Sequence, residues 1–292
     1  MNKVTQKLST AAPMKTSIFF PSACKTRPYR LLAALYRAAS TKSKRKKQTK
    51  KWRISKKKHK ETSLTRRRTD AKELLSGMIE KVSPDILKYW VRRASLFSRF
   101  DYGVKCDEQG LFLVTPEEIA KHQAKICGPD QIVIDAFAGV GGNAIQFALR
   151  CKYVVAVDIK PTRIKCARNN AKVYGVAHKI DFIVGDFFKL TSGLRADIIF
   201  LSPPWGGPSY KAAKVFNIET MLEPENGFSL FRVALSVAPN VVLYLPRTVD
   251  PEQLVQLAWL SSPPLAYKVE RNYINGYLKA LTVYYGNVAN YK

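Results

Sequence analysis

The 292-residue chain has no apolar run near the roughly 18 residues that a membrane-spanning helix requires, so no membrane role is expected. It has five cysteines, Cys24, Cys106, Cys127, Cys151 and Cys166. Their number is odd and no two form a CxxC pair, so neither a disulfide framework nor a structural zinc site is expected. A reducing compartment suits such a set best. Acid is scarce at one end. The first 40 residues contain no Asp or Glu, and residues 1–70 hold 22 Lys and Arg against only Glu61 and Asp70. Most of the net charge of +27 therefore lies in this arm, and the rest of the chain carries about +7.

A block this basic attracts a polyanion, nucleic acid above all. It also reads as a solvated tail or an address. Arg30-Leu-Leu-Ala-Ala-Leu-Tyr-Arg37 has the look of an organelle transit segment. The lysine tract from Lys42 to Lys60 is of nuclear-address type, and the nuclear reading is the one adopted, with an organelle as the alternative. Three parts are expected: a basic, largely disordered arm at 1–70, a helical extension at 71–128, and a larger domain at 129–292.

In the extension, Ser83-Pro-Asp-Ile predicts a helix start, with Ser83 as cap, Pro84 in the first turn and Asp85 at the positive end. Ile86, Trp90 and Leu96 are its candidate buried positions. Thr115-Pro-Glu-Glu-Ile predicts a second start by the same chemistry. From Gln131 onward, short apolar runs alternate with helical patterns. Strands are expected at 132–134, 153–157, 180–184, 196–201 and 241–245, and helices at 142–149, 161–173 and 228–237. Such alternation gives an α/β fold with a mostly parallel sheet and helices on both faces. Strand-like runs at 265–273 and 277–285 flank Asn275-Gly276, a hairpin signal, so the sheet should end in an antiparallel pair.

Three strand ends carry chemistry. The first is Asp135-Ala-Phe-Ala-Gly139-Val-Gly141-Gly142-Asn143, between a strand and a helix, where doubly wound sheets bind ligands. No third glycine follows Gly141 at the spacing that cradles a pyrophosphate. Asp135 would repel such an anion but attract the ammonium of a methionine moiety. The segment thus favours S-adenosylmethionine over a dinucleotide, with a purely structural turn as the alternative. The second is Asp158, ending Val154-Val-Ala-Val-Asp158, placed to accept ribose hydroxyls. Beside it Gly185-Asp186-Phe187 ends the third strand, with Asp186 a candidate for the adenine amine and Phe187 for its ring. For any one of these acids a cap or turn role is the competing reading.

The third end, Leu201-Ser202-Pro203-Pro204-Trp205-Gly206-Gly207, is the most specific. Two prolines stiffen the turn and remove two N–H donors, leaving a rim of carbonyls beside the Ser202 hydroxyl. Acceptors of this kind can hold the N–H groups of an exocyclic base amine in front of a methyl donor, by proximity and orientation. Trp205 offers a face for the base. An indole also attracts a cationic ring, by roughly 0.5–2 kcal/mol. No metal is needed.

On these residues the chain resembles the trimethylguanosine synthase family, whose members methylate the N2 amine of the 7-methylguanosine cap of RNA. The segments that carry the resemblance are Lys88-Tyr-Trp90, Leu96-Phe-Ser-Arg-Phe-Asp101, Val114-Thr-Pro116, Asp135–Asn143, Ala167-Arg-Asn-Asn-Ala171, Ser202–Pro208 and Leu245-Pro-Arg247. The resemblance implies a class I, Rossmann-like methyltransferase fold with a small helical N-terminal extension. It implies two methyl transfers, yielding 2,2,7-trimethylguanosine, as on small nuclear and nucleolar RNAs, with S-adenosyl-L-homocysteine as by-product. Trp205 matches the cap-stacking position, and Ser202 and Pro203 the lining of the reacting amine. Asp135 and Asp158 match cofactor positions, as do Phe97 and Thr115. Lys88, Tyr210 and Arg247 match positions that meet the cap triphosphate. Two departures stand out: Ala138 replaces an expected Cys and Ser209 an expected Asp. A monomer is expected. The competing functions are an N6-adenine or ribosomal RNA base methyltransferase, and a cap-binding protein without catalysis.

Overall fold

A computed structural model of the protein describes residues 89–206, 210 and 213–291. The basic arm, Ser83-Pro-Asp-Ile, Lys88 and Ser209 lie outside the described residues, so the expectations placed on them are not addressed by the fold. Among the described residues no helix is long and apolar enough to cross a membrane.

Seven strands form one sheet in the order β3-β2-β1-β4-β5-β7-β6. They are β1 (Ile132–Asp135), β2 (Tyr153–Asp158), β3 (Ile180–Val184), β4 (Ile198–Leu201), β5 (Asn240–Pro246), β6 (Tyr267–Ile274) and β7 (Tyr277–Tyr285). Pairing is parallel from β3 through β5, and β7 runs antiparallel to both β5 and β6. The hairpin turn has Asn275 at φ 51° and Gly276 at φ 79°. That left-handed pair twists in the sense the two strands require.

The helices are α1 (Arg93–Leu96), α2 (Glu108–Leu113), α3 (Glu117–Cys127), α4 (Gly142–Arg150), α5 (Pro161–Tyr174), α6 (Phe187–Leu190), α7 (Gly227–Val237) and α8 (Pro251–Ala258). Side chains alternate along each strand, so the sheet feeds two cores. Val133, Val154, Phe200, Val242 and Tyr284 face a layer built with α1 to α5. Ile134, Val157, Ile199, Leu243 and Tyr285 face a layer containing α7 and α8. The strand residues named here are all buried, as the near-continuous apolar strands require.

The strand and helix expectations from Gln131 onward hold within a few residues. Sequence reading missed α2, α6 and α8. The first two are short, and α8 continues the alternation between β5 and β6. One start differs in detail. Thr115 does not cap α3: Pro116 occupies the cap position without a side-chain bond, and Thr115 is buried. Leu96 is buried as expected, while Trp90 is only partly so and packs edge-on against Phe100, 5.5 Å between centroids.

The extension is pinned to the sheet layer by buried polar groups. The Glu117 carboxylate accepts from the Ser98 N–H, from Ser98 Oγ at 2.7 Å and from the Tyr174 hydroxyl at 2.8 Å. Lys121 adds an ion pair at 3.0 Å. Burial pushes the Glu117 carboxyl up, but these donors outweigh it and hold it below its ordinary value. Asn170 clamps a second point, donating to the Lys105 and Val140 carbonyls and accepting from the Lys105 N–H. The Leu96–Asp101 segment thus meets the end of α5 at Val173 and Tyr174, and the Ala167–Ala171 segment meets Lys105 and Val140. Phe97 lies under the glycine turn, Arg99 stacks over Tyr174, and Asp101 pairs with Arg93 at 2.8 Å.

Candidate active site

Strand order reverses between β1 and β4, because β2 and β3 lie on one side of β1 and β4 and β5 on the other. The crevice outside the carboxyl ends of β1 and β4 is where such sheets take ligands. Register places Asp135 directly beside Phe200, two residues before Ser202, and the Ala136 N–H donates to the Phe200 carbonyl at 3.1 Å. The glycine turn and the proline turn are therefore neighbours at one sheet edge. Asp158 and Asp186 end the next strands at the same edge.

Asp135 is 1% exposed, and neither of its oxygens has a hydrogen-bond partner among the described residues. Burial pushes its carboxyl up to about 7, and the neighbouring Asp158 adds to the shift. The Phe137 and Ala144 N–H groups face it and oppose the shift without closing a well-aligned bond. An orphaned buried carboxylate costs several kcal/mol unless a ligand supplies the missing donors. A Cβ at Gly139, which has φ +53°, would meet nothing within 4 Å, so the turn borders open space. Gly141 differs. Its φ is +90° and a Cβ there would sit 3.0 Å from that of Ala167, so this glycine lets α4 and α5 pack closely.

Asp158 is 6% exposed. One oxygen accepts from the Gly139 N–H at 2.9 Å and the other from the Lys160 N–H at 2.8 Å. Each oxygen keeps a further lone pair. Asp186 caps α6, accepting from the Phe188 N–H at 3.1 Å. Phe187 is 3% exposed and packs toward Phe137, 6.3 Å between centroids. Phe97 is 1% exposed, so it supports the glycine turn from beneath.

At the proline turn Pro203 is buried and Ser202 half-buried. The Ser202 hydroxyl has no hydrogen-bond partner among the described residues. The Pro204 carbonyl accepts from the Glu223 N–H at 3.2 Å. Trp205 is half-buried and touches both cores. Its Nε1–H donates to the Tyr244 carbonyl at 3.3 Å. Tyr210 meets it edge-on at 5.4 Å, and Tyr244 lies tilted at 5.4 Å. These two rings and the Tyr244 carbonyl set the plane of the indole.

Tyr210 feels the charge of Arg247 and lies near Tyr89, with burial as the main cause of its raised value. Arg247 is exposed and its guanidinium reaches the Leu278 carbonyl at 3.4 Å. Tyr210 and Arg247 are thus together at the rim. Tyr89 and Tyr244 were not singled out from the sequence. Tyr89 sits inside the Lys88-Tyr-Trp90 segment and could have been read there. Tyr244, in an apolar strand run, carried no signal.

The arrangement fits the methyl donor that the sequence implies. An unpartnered anion, an open glycine turn and an acid with spare lone pairs at the next strand end match an ammonium, a backbone approach and a ribose. Among the described residues no cluster of His, Cys, Asp and Glu could hold a metal ion.

Comparison with known proteins agrees. A family model of RNA cap guanine-N2 methyltransferases matches residues 130–288. The trimethylguanosine synthase of Schizosaccharomyces pombe is 36% identical over 74% of this chain and 93% of its own length. That of Saccharomyces cerevisiae is 37% identical over 69% of this chain and 67% of its own. Among solved structures, a putative methyltransferase from Porphyromonas gingivalis W83 shares the fold, with a TM-score of 0.53 at 15% identity over 71% of this chain and 52% of its own.

Proposed function

From the premise that the chain belongs to the RNA cap guanine-N2 methyltransferase family, we propose that it carries methyl groups from S-adenosyl-L-methionine to the N2 amine of 7-methylguanosine-capped RNA, yielding 2,2,7-trimethylguanosine. The observation that carries this reading is the pairing of β1 with β4, which sets the orphaned Asp135 carboxylate beside the strand that ends in Ser202 and Pro203.

The donor supplies an electrophilic methyl on a sulfonium sulfur. Asp135 holds the ammonium, Asp158 accepts ribose hydroxyls through its spare lone pairs, and Asp186 accepts the adenine amine through its oxygen not used in capping. Gly139 lets the backbone approach, and Phe97, Thr115, Gly141 and Phe187 support that wall. Trp205 stacks the cationic 7-methylguanine. The Ser202 hydroxyl and the Pro203 carbonyl accept the two N–H groups of N2, which turns the nitrogen lone pair toward the methyl. The bond from sulfur to the methyl would break as the N2–methyl bond forms, the electron pair staying on sulfur, and water would take the proton that N2 loses. Tyr210 and Arg247, with Lys88, take the triphosphate, where a guanidinium can chelate phosphate oxygens.

The same proposal divides the chain into the basic arm, an extension to residue 128 and the methyltransferase body. It places the protein in the nucleus as a monomer, with the Lys42–Lys60 tract as its address and the arm as a further RNA contact. The test is methylation of 7-methylated and unmethylated cap dinucleotides, with mass spectrometry counting the methyls added. Two methyls on the first substrate and none on the second are expected. Equal modification of both refutes cap specificity, and modification of internal adenines in uncapped RNA points to the N6-adenine reading.

A further inference from the structure

The 22 residues between Asp158 and Asp181 contain no acid and six Lys or Arg. The helix α5 takes up most of this stretch. Its buried face packs Ile164, Ala167, Asn170 and Ala171 inward. On the opposite face Lys165, Arg168 and Lys172 are exposed at a spacing of three and four residues, which stacks them along one stripe. At 1.5 Å per residue the stripe is about 10 Å long. None of the three has an acidic partner among the described residues. Arg168 lies over the Phe182 ring, 5.2 Å to the centroid. The nearby Asp107 is already committed: it caps α2 and faces Arg163 at 3.7 Å.

An aromatic stands beside this stripe. The turn Phe100–Tyr102 is held on α5 by the Asn169 amide, which donates to the Gly103 carbonyl at 2.8 Å. Tyr102 is 78% exposed there. Arg99 on the same turn donates to the Val173 carbonyl at 3.0 Å and stays exposed. A solvated helix face needs charge but does not need an exposed tyrosine beside cations that lack an acidic partner. Backbone cations interleaved with a stacking ring are how single-stranded nucleic acid is held without sequence preference.

The surface also connects to the cap site. α5 starts at the sheet edge that carries the glycine turn, since it follows the carboxyl end of β2. Lys160 at its start donates to Gln109 of α2 at 3.0 Å. Phe112 of α2 packs edge-on against Tyr89 at 4.8 Å, and Tyr89 lies near Tyr210. These contacts join the rim at Tyr210 and Arg247 to the start of α5 by way of α2.

We propose that the exposed face of α5, with Lys165, Arg168, Lys172 and Tyr102, is a sequence-independent track for the RNA downstream of the cap. This rests on the capped-RNA reading above. It assigns the track a share of affinity for long substrates and none in the chemistry on N2.

The test uses the full chain and the variants Lys165→Gln/Lys172→Gln and Tyr102→Ala. Binding to a fluorescent capped RNA of about 30 nucleotides is followed by anisotropy against salt, and methyl transfer is followed on that RNA and on the cap dinucleotide. For single strands each lost phosphate contact lowers the slope of log K against log salt by about 0.7, so the double variant should lose about 1.4. Tyr102→Ala should weaken binding by about 5- to 150-fold, with the slope unchanged. The KM for the long RNA should rise while both constants for the dinucleotide stay at wild type. An unchanged slope and KM overturn the track, as they would for a solvated face or a seat for an acidic protein. An equal loss on dinucleotide and long RNA also overturns it, because it shows damage to the site. If the wild-type enzyme methylates no cap, the proposed function fails, whereas the anisotropy slopes still decide the track.

Discussion

Lowering the pH from 7.5 to 5.5 should detach the methyl donor, through Asp135 alone. Burial holds this carboxyl at about 7 in the free protein. With that value about a quarter of the population is protonated at pH 7.5 and nearly all at pH 5.5. Only the ionised form pairs with an ammonium, and that pairing pulls the carboxyl of the complex back toward its ordinary range. Donor affinity should therefore fall about 20-fold over this interval. The donor's own amine adds little, since an α-amino group is mostly protonated throughout. Titration calorimetry at each pH reads the effect directly, with proton release accompanying binding at pH 7.5 reduced and proton release at pH 5.5 near one per site. The free protein responds in the opposite sense. A carboxyl raised in the folded state favours folding below its ordinary value, and that advantage is lost as pH climbs from about 4 to 7, a cost on the order of 4 kcal/mol. Asp135→Asn should thus bind donor weakly and without pH dependence, while its unliganded Tm at pH 7.5 equals or exceeds that of the wild type. A wild-type donor affinity that is flat between pH 7.5 and 5.5 would refute both the buried-anion argument and the ammonium pairing.

Other substitutions probe separate links. Trp205→Ala should lower kcat/KM on the 7-methylated cap by about 5- to 150-fold, the worth of one stacked base, with donor affinity held within a few-fold. Trp205→Phe should recover part of the loss; equal collapse of donor binding would make the indole structural. Glu117→Ala strands the Ser98 N–H and the Ser98 and Tyr174 hydroxyls. It should cost about 3 kcal/mol in denaturant unfolding. Because the Glu117 carboxyl is held below its ordinary value, its contribution should be present above the ordinary carboxylate range and fade in acid. Gly141→Ala puts a Cβ against Ala167 on a backbone at φ +90° and should destabilise by about 1–3 kcal/mol; a neutral result contradicts the close approach of α4 and α5.

The inner parallel strands β1, β4 and β5 were legible because they are buried on both faces and read as apolar runs between helical periods. The hairpin was legible because Asn275-Gly276 suits one turn geometry. Asp135 and Ser202 could be tied to chemistry because each ends a strand at the edge where these sheets bind ligands. What escaped was long-range and polar. Glu117 looked like an acid suiting a helix start, yet its carboxylate bridges to Ser98 and Tyr174, residues 19 and 57 positions away. Gly139 and Gly141 read alike in sequence, and only their surroundings separate the open turn from the packing contact. The half-burial of Trp205 and its bond to the Tyr244 carbonyl follow from β5 passing beneath the turn, which no local pattern encodes.

The strand order has a consequence for biosynthesis. Strands β3, β2, β1, β4 and β5 are all made by residue 246 and can pair as soon as they clear the ribosome. β6 cannot: its sole neighbour among the described residues is β7, which is synthesised after it and must slot between it and β5. A buried thread running from Asn143 to Gln123, Thr282 and Asn272 closes at the same moment. A nascent chain thus carries a finished donor crevice with one open flank, and the last strand to emerge both seals that flank and ties it to the helix behind the glycine turn.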